Sequence, residues 1–328
     1  MVTTWPKNFP GLGTGAERFA KRITDMSGGA LTVKVLAAGE LVPPFESFDA
    51  VSSGAADMYH GAEYYWQGKS KAFNFFAAVP FGLTAVEQNA WIHNGGCQEL
   101  WDELSAGFNI KAFMAGNTGV QMGGWFNKEI NTLEDYKGLK IRMPGLGGEV
   151  LNRLGATPVS LPGGEIFPSL QSGAIDATEW VGPWNDLAFG FYKVAKFYYY
   201  PGFHEPGTSL SGAVNLKVWE SLSNDHKQII ETAAMAENSF TLSEFTAKNG
   251  DALATLINEH NVTLKRFSDD VMKAIGTASG EVLAEVAAAD AQTKKVYDAF
   301  IKFRKDVMGW TNLSETAYAA ARSLDYKY

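Results

Sequence analysis

Three closely spaced segments decide how this chain is read: AGNTGVQMGGWF at 115–126, LKIRMPG at 139–145 and GAIDATEWVGPWND at 173–186. In the last, two-residue alternation predicts a strand with Ile175, Ala177, Glu179 and Val181 on one side, a carboxylate in an otherwise apolar row. A half-buried charge without a partner is too costly to keep, so Glu179 needs a cation or a cationic side chain nearby. Arg142 and Gln121 are the candidates. Around these segments, KAFMAGNTG reads as a strand leaving one lobe and MGGWFN as its continuation in a second. EINTLEDYKGLKIRMPG supplies a turn, a one-turn helix and a strand; GGEVLNRLGATPVSL a helix and a strand; PGGEIFPSLQSGAI a helix; and DATEWVG the strand that carries Glu179. The order is β-α-β-α-β.

The same order appears upstream. A strand at Val2–Pro6 leads through the turn NFPGLGTG into a helix spaced by Phe19, Ile23 and Met26 and ended by Gly28 and Gly29. LTVKVLAA alternates as a strand, and PFESFDAVSSGAADM gives a short helix stopping at Ser53-Gly54 before another strand. Two such units predict a two-lobed α/β fold, each lobe an open, largely parallel sheet, with a cleft between them. The lobes are expected to be 1–118 with about 206–250, and 119–205 with about 251–310, followed by a C-terminal helix at 311–328. Tyr64 and Tyr65, in YHGAEYYW, follow a strand and either line a ligand pocket or pack on their own lobe; the two readings stand level. One helix is expected to carry Trp91, Ile92, Leu100, Trp101 and Leu104. A nearly all-helical stretch opens at the Ser223-Asn224-Asp225 cap, and VTLKRF is a short strand. From Ser268 to about 308 a single Ala-rich helix is expected to project, and its stripe Val286, Val296, Phe300 and Phe303 must be covered by the other lobe or by a second copy.

At 328 residues the chain is large enough to bury about three quarters of its unfolded surface. A net charge of -8 with no basic run argues against a nucleic-acid partner. Cys97 is the one cysteine, which excludes an intrachain disulfide, and its place at the start of an amphipathic helix makes it a small core residue. No apolar run is long enough to span a bilayer. No signal peptide is visible either, which fits a cytosolic protein or a mature exported one; a strand at the very start favours the trimmed chain.

Arg142 alternates away from Ile141 and Met143, and Pro144 ends its strand, so the guanidinium stands at a strand end where a cleft would lie. There it can hold a carboxylate through two parallel hydrogen bonds. The plain rival is a structural salt bridge between Arg142 and Glu179. The Gln121 amide oxygen, the Glu179 carboxylate and a backbone carbonyl such as that of Trp180 are hard oxygen donors, suited to sodium or calcium. The histidines, His60, His93, His204, His226 and His260, have no zinc-site spacing, and His204 reads as a hydrogen-bonded core residue. No nucleophile motif, P-loop or catalytic acid pair stands out.

The run GNTGVQMGGWFNKEI…DYKGLKIRMPG…LGATPVSLPGGEIFPSLQSGAIDATEWVGPWND, followed by FYKVAKFYYYPGFHEPG, resembles the solute-binding proteins of TRAP (tripartite ATP-independent periplasmic) transporters, in particular their α-keto acid and lactate-binding subgroup. The resemblance spans essentially the whole chain. It implies a non-enzymatic periplasmic receptor that closes on a small 2-oxo or 2-hydroxy monocarboxylate and delivers it to membrane subunits. It makes Arg142 the carboxylate clamp and Gln121 an orienting amide; Asn117, Tyr64, Tyr65, Phe81 and Trp180 are the further candidates for the ligand pocket. Glu179, the Trp180 carbonyl, Glu205 and Gln121 become ligands of a metal cation, sodium ahead of calcium. Glu179 then holds the ion while Arg142 holds the ligand. The subgroup also implies a homodimer that exchanges a long C-terminal helix. The competing classes are a lyase- or aldolase-like enzyme using the same clamp, and a periplasmic sensor subunit.

Overall fold

The computed structural model describes residues 1–327. Two sheets organise it. The first holds β1 (Val2–Thr3), β2 (Met58–Gly61), β3 (Ile110–Asn117) and a late strand, Ser209–Asn215, in the order β1, β2, late strand, β3. The second holds β4 (Gly124–Phe126), β5 (Lys140–Arg142), β6 (Thr157–Val159), β7 (Ala177–Thr178), β8 (Phe197–Tyr200) and a strand at Thr263–Arg266. With the late strand as β9 and the last as β10, the second sheet runs β10-β8-β4-β7-β5-β6.

The second sheet is largely parallel as the sequence suggested, with β4 alone reversed, but the first is not. β9 comes back from the second sheet and inserts antiparallel between β2 and β3, leaving β1–β2 as the first sheet's parallel pair. In the second sheet β4 runs antiparallel to both its neighbours. LTVKVLAA is not a strand. It follows the edge of β1 through Thr3 N–H to Leu36 O (3.0 Å) and Ala38 N–H to Trp5 O (2.9 Å), but β1 is too short to support a ladder. The strand expected through Glu179 shrinks to β7. Thr178 and Trp180 are buried as deeply as their neighbours, because β7 lies between β4 and β5 and is covered on both faces.

The helices are α1 (Gly13–Met26), α2 (Ser47–Ser53), α3 (Ala85–Asn94), α4 (Cys97–Ala106), α5 (Gly145–Arg153), α6 (Gly163–Ser172), α7 (Pro183–Phe189), α8 (Leu216–Ser221), α9 (Asn224–Asn258), α10 (Asp269–Ala287), α11 (Ala291–Thr311) and α12 (Ala317–Ala321). The helix expected through Trp91 and Trp101 breaks at Gly95-Gly96, where Gly96 takes a left-handed φ of 79°. The projecting helix also breaks. Asp290 caps α11 by accepting from Thr293 N–H at 2.7 Å, and α11 folds back beside α10. Val286, Val296 and Phe300 are thereby buried within their own chain, Phe300 against Phe75 and Trp91, so this stripe needs no second copy. Past α11 a π-turn and α12 carry helix to Ala321, with residues 322–327 beyond it; Tyr328, in the expected terminal helix, lies outside the described residues. Among the described residues no helix is long and apolar enough to cross a membrane.

α9 belongs to neither sheet alone. It packs on β3 and α1, where Arg18 reaches Glu237 at 2.9 Å, and on α7, where Trp184 N–H donates to Asn249 Oδ1 at 3.1 Å. The two segments that cross between the sheets, at 118–123 and 201–208, run side by side, joined by Gln121 N–H to Glu205 O (3.1 Å) and Gly202 N–H to Gln121 O (2.9 Å).

Candidate carboxylate and cation site

The site grows from strand register. Parallel pairing sets Arg142, the last residue of β5, opposite Thr178, and Glu179 N–H donates to Arg142 O at 3.1 Å. Arginine and glutamate thus leave adjacent strand ends together. The paired crossing segments add Gln121, His204 and Glu205, and the 3-10 turn after β2 adds Tyr64 and Tyr65. All seven side chains are buried or nearly so.

Arg142 and Glu179 touch directly, Nη1 against Oε1, where the sequence reading had kept them apart. The contact is not bidentate. Nη1 also donates to the Glu179 carbonyl at 3.2 Å, Nε to Leu161 O at 3.1 Å, and Nη2 reaches Tyr65 Oη at 3.4 Å. The Trp180 ring lies over the guanidinium, 5.0 Å from Cζ. The other carboxylate oxygen of Glu179 faces His204 Nε2 at 3.1 Å. Glu205 Oε2 accepts from Gln121 Nε2 (2.8 Å), Thr208 Oγ1 (2.5 Å) and Tyr64 Oη (3.4 Å).

Beside Glu179 in so dry a place, Arg142, His204 and Glu205 are all shifted. Burial, then the neighbouring charge of Glu179, pushes the Glu205 carboxyl up to about 7. Burial opposes a charge on His204, but its hydrogen bond to Glu179 and the attraction of that carboxylate outweigh this and raise it. Burial likewise opposes the charge on Arg142, and Glu179 more than restores it.

Glu179, His204 and Glu205 can each direct a ligand atom to within 4.8 Å of the others. Three buried polar atoms here have no partner: Gln121 Oε1, His204 Nδ1 and Trp180 Nε1. Such orphans are costly, and two of the three residues, Gln121 and Trp180, line one small void. Two carboxylates and a free amide oxygen make a hard donor set that fits sodium or calcium. A void of about 10 Å³ remains beside them, lined by Trp5, Leu12, Tyr64, Tyr65, Gln121, Trp180 and Leu210 among others.

Of the residues singled out from sequence, the structure brings together Arg142, Gln121, Glu179, Trp180, Glu205, Tyr64 and Tyr65. Asn117 stands at the margin: Nδ2 donates to Gly207 O (3.2 Å) and Oδ1 accepts from Gly119 N–H (2.8 Å), so its amide ties the crossing segments together. Phe81 lies outside the group. Its ring stacks on Phe203 at 6.0 Å and faces α10 and α11. Sequence reasoning missed His204, Thr208 and Trp5. His204 had one signal, its place beside Glu205 in HEPG; Trp5 had none beyond its aromatic type.

Two α/β sheets joined by paired crossing segments, with a buried guanidinium and oxygen donors where they meet, define a two-lobed solute-binding protein. The chain belongs to the DctP family, the bacterial extracellular solute-binding proteins of family 7, whose profile matches residues 1–290. It is 45% identical over 320 residues to a monocarboxylate 2-oxoacid-binding periplasmic protein of Nostoc, covering 97% of this chain and 87% of that one. A TRAP periplasmic solute-binding protein from Pseudoalteromonas atlantica, solved with bound sodium and pyruvate, superposes with a TM-score of 0.95 at 43% identity, over 99% of this chain and 98% of that one. Another from Bordetella bronchiseptica, a dimer with calcium and picolinate in one site, gives 0.95 at 37% identity, over 99% and 98%.

Proposed function

We propose that this protein is the periplasmic receptor of a TRAP transporter, binding a 2-oxo monocarboxylate of the pyruvate class together with sodium or calcium and handing it to the transporter's membrane subunits. The observation that carries this reading is the fully buried Arg142 beside Glu179, Glu205 and the orphaned Gln121 Oε1, contributed by the second sheet and the segments that cross between the sheets. The ligand carboxylate takes the guanidinium in place of Glu179, and Glu179, Glu205, the Gln121 amide oxygen and the Trp180 carbonyl hold the cation. When bound, that ion supplies the positive charge that faces the ligand's 2-oxo group. Arg142 and a monocarboxylate cancel, so the two remaining glutamates match calcium, whereas sodium suffices if Glu205 keeps its proton. Lobes 1–118 with about 206–250, and 119–205 with about 251–310, close on the ligand because it contacts both. A homodimer covers the exposed row Trp310, Leu313 and Tyr318.

Calorimetry tests the reading. After desalting with a chelator, pyruvate should bind with micromolar or tighter affinity once sodium or calcium is restored, and should be recovered chemically unchanged. Absence of binding with either ion refutes it, and turnover of the acid returns the protein to the enzyme class.

A further inference from the structure

Beyond the clamp and the ion, the apolar end of the void carries information about which acids fit. Trp5 is 2% exposed and lines the void together with Leu12, Val181 and Leu210. The ring stands 6.3 Å from Tyr65 and meets Trp180 edge-on at 6.2 Å. Those two rings also touch Arg142, so Trp5 is linked to the guanidinium through one intervening ring on each path. Tyr65 and Trp180 line the same void as Trp5, so the space nearest an acid held at Arg142 is the one this indole borders. The indole is locked. Its Nε1–H donates to His60 Nδ1 at 2.8 Å, while His60 Nε2 faces Ala115 O at 3.3 Å. This arrangement requires the proton on Nε2 and a neutral imidazole. Burial, which pushes the His60 pKa down to about 4, keeps it neutral. Thr3 Oγ1–H and Ala38 N–H both donate to Trp5 O, at 3.0 and 2.9 Å, fixing the backbone as well.

We propose that Trp5, positioned by His60, is the wall that sets the chain length of the ligand, so that the receptor selects short 2-oxo acids over longer branched ones. This rests on the 2-oxo acid reading above and adds a determinant to it. With the indole unable to swing aside, each further carbon meets a fixed ring.

The test compares pyruvate with 4-methyl-2-oxopentanoate by calorimetry on the full chain, with the cation present. Wild type should prefer pyruvate by at least about tenfold, the discrimination that one or a few carbons produce in a closed apolar pocket. Trp5→Val should bring the two within about threefold, chiefly through tighter binding of the longer acid. His60→Leu, which frees the indole, should shift the ratio the same way. His60→Asn, whose Oδ1 can accept the indole proton, should keep the wild-type ratio, an outcome a merely structural role would not produce. If neither acid binds the wild type, the 2-oxo acid reading fails. If pyruvate binds but wild type takes both acids equally, or if folded His60→Leu and Trp5→Val leave the ratio unchanged, the wall is refuted. Should Trp5→Val not fold, the His60 pair decides.

Discussion

Glu179 and Asp186 lie on one segment of the second lobe, and both are fully buried, yet the protein surrounds them differently. Asp186 receives neutral donors: Tyr198 Oη–H at 2.6 Å, Trp125 Nε1–H at 3.0 Å and Val181 N–H at 3.3 Å. Two of these come from β4 and β8, so Asp186 pins the turn after Trp180 to its own sheet. Burial raises its pKa to about 7, with the hydrogen bonds pulling the other way. Glu179 instead meets a guanidinium and an imidazole, and an orphaned amide oxygen and a small void lie close by. Equal burial therefore does not mean equal role. A carboxylate saturated by neutral donors from its own sheet is scaffold. One paired with cationic groups beside unsatisfied atoms has partners that a ligand and an ion can exchange.

The largest expected effect separates the two outright. Arg142→Ala should lower pyruvate affinity by at least about a hundredfold, since truncating one member of a buried charge pair costs roughly 2–5 kcal/mol. Arg142→Lys should not restore it, because an ammonium cannot reproduce the planar fork. Asp186→Ala should do the reverse: a loss of about 1–3 kcal/mol in denaturant unfolding, from donors left unpaired, with pyruvate affinity in the folded fraction close to wild type. A binding loss from Asp186→Ala as large as that from Arg142→Ala would erase the distinction.

pH sharpens the comparison further. A carboxyl raised to about 7 by folding binds its proton more tightly in the native state than in the unfolded chain. Its contribution is fully present below the unfolded value near 3.8 and is lost as pH rises toward 7. His60 works oppositely: lowered to about 4, it costs stability as pH falls from 6.5 toward 4. The two partly cancel in the wild-type curve, so the measurement is a difference. The stability of wild type minus that of Asp186→Asn should decline between about pH 4 and 7 and level off above. A flat difference would mean that Asp186 is ionised in the fold.

Much of this was legible in the sequence because the decisive signals are local. Arg142 precedes a strand-ending proline by two positions, and Glu179 interrupts an apolar row; together with Gln121 they already asked for an anion and a cation. What stayed hidden depends on long-range pairing. Nothing near Ser209–Asn215 says that β9 inserts antiparallel between β2 and β3. The break before α11 rests on a single Asp290 cap inside an Ala-rich run. Trp5 acquires its meaning only where His60, Tyr65 and Trp180 meet it.

Phe81 provides the smallest and most discriminating case, since the sequence reading put it at the ligand and the structure puts it elsewhere. It takes a left-handed φ of 53°, rare for a bulky residue, and its N–H donates to Phe203 O at 2.8 Å. Arg304 Nε–H in turn donates to Phe81 O at 2.8 Å, which ties this loop to α11. These backbone contacts survive truncation of the ring. Phe81→Ala should therefore cost about 1–3 kcal/mol of stability through lost packing on Phe203, and change pyruvate affinity by less than about twofold. Calorimetry beside a thermal melt separates the two effects. If affinity falls while stability holds, Phe203 transmits the change to its neighbour His204, and the boundary between scaffold and site must be redrawn to include the loop at 79–82.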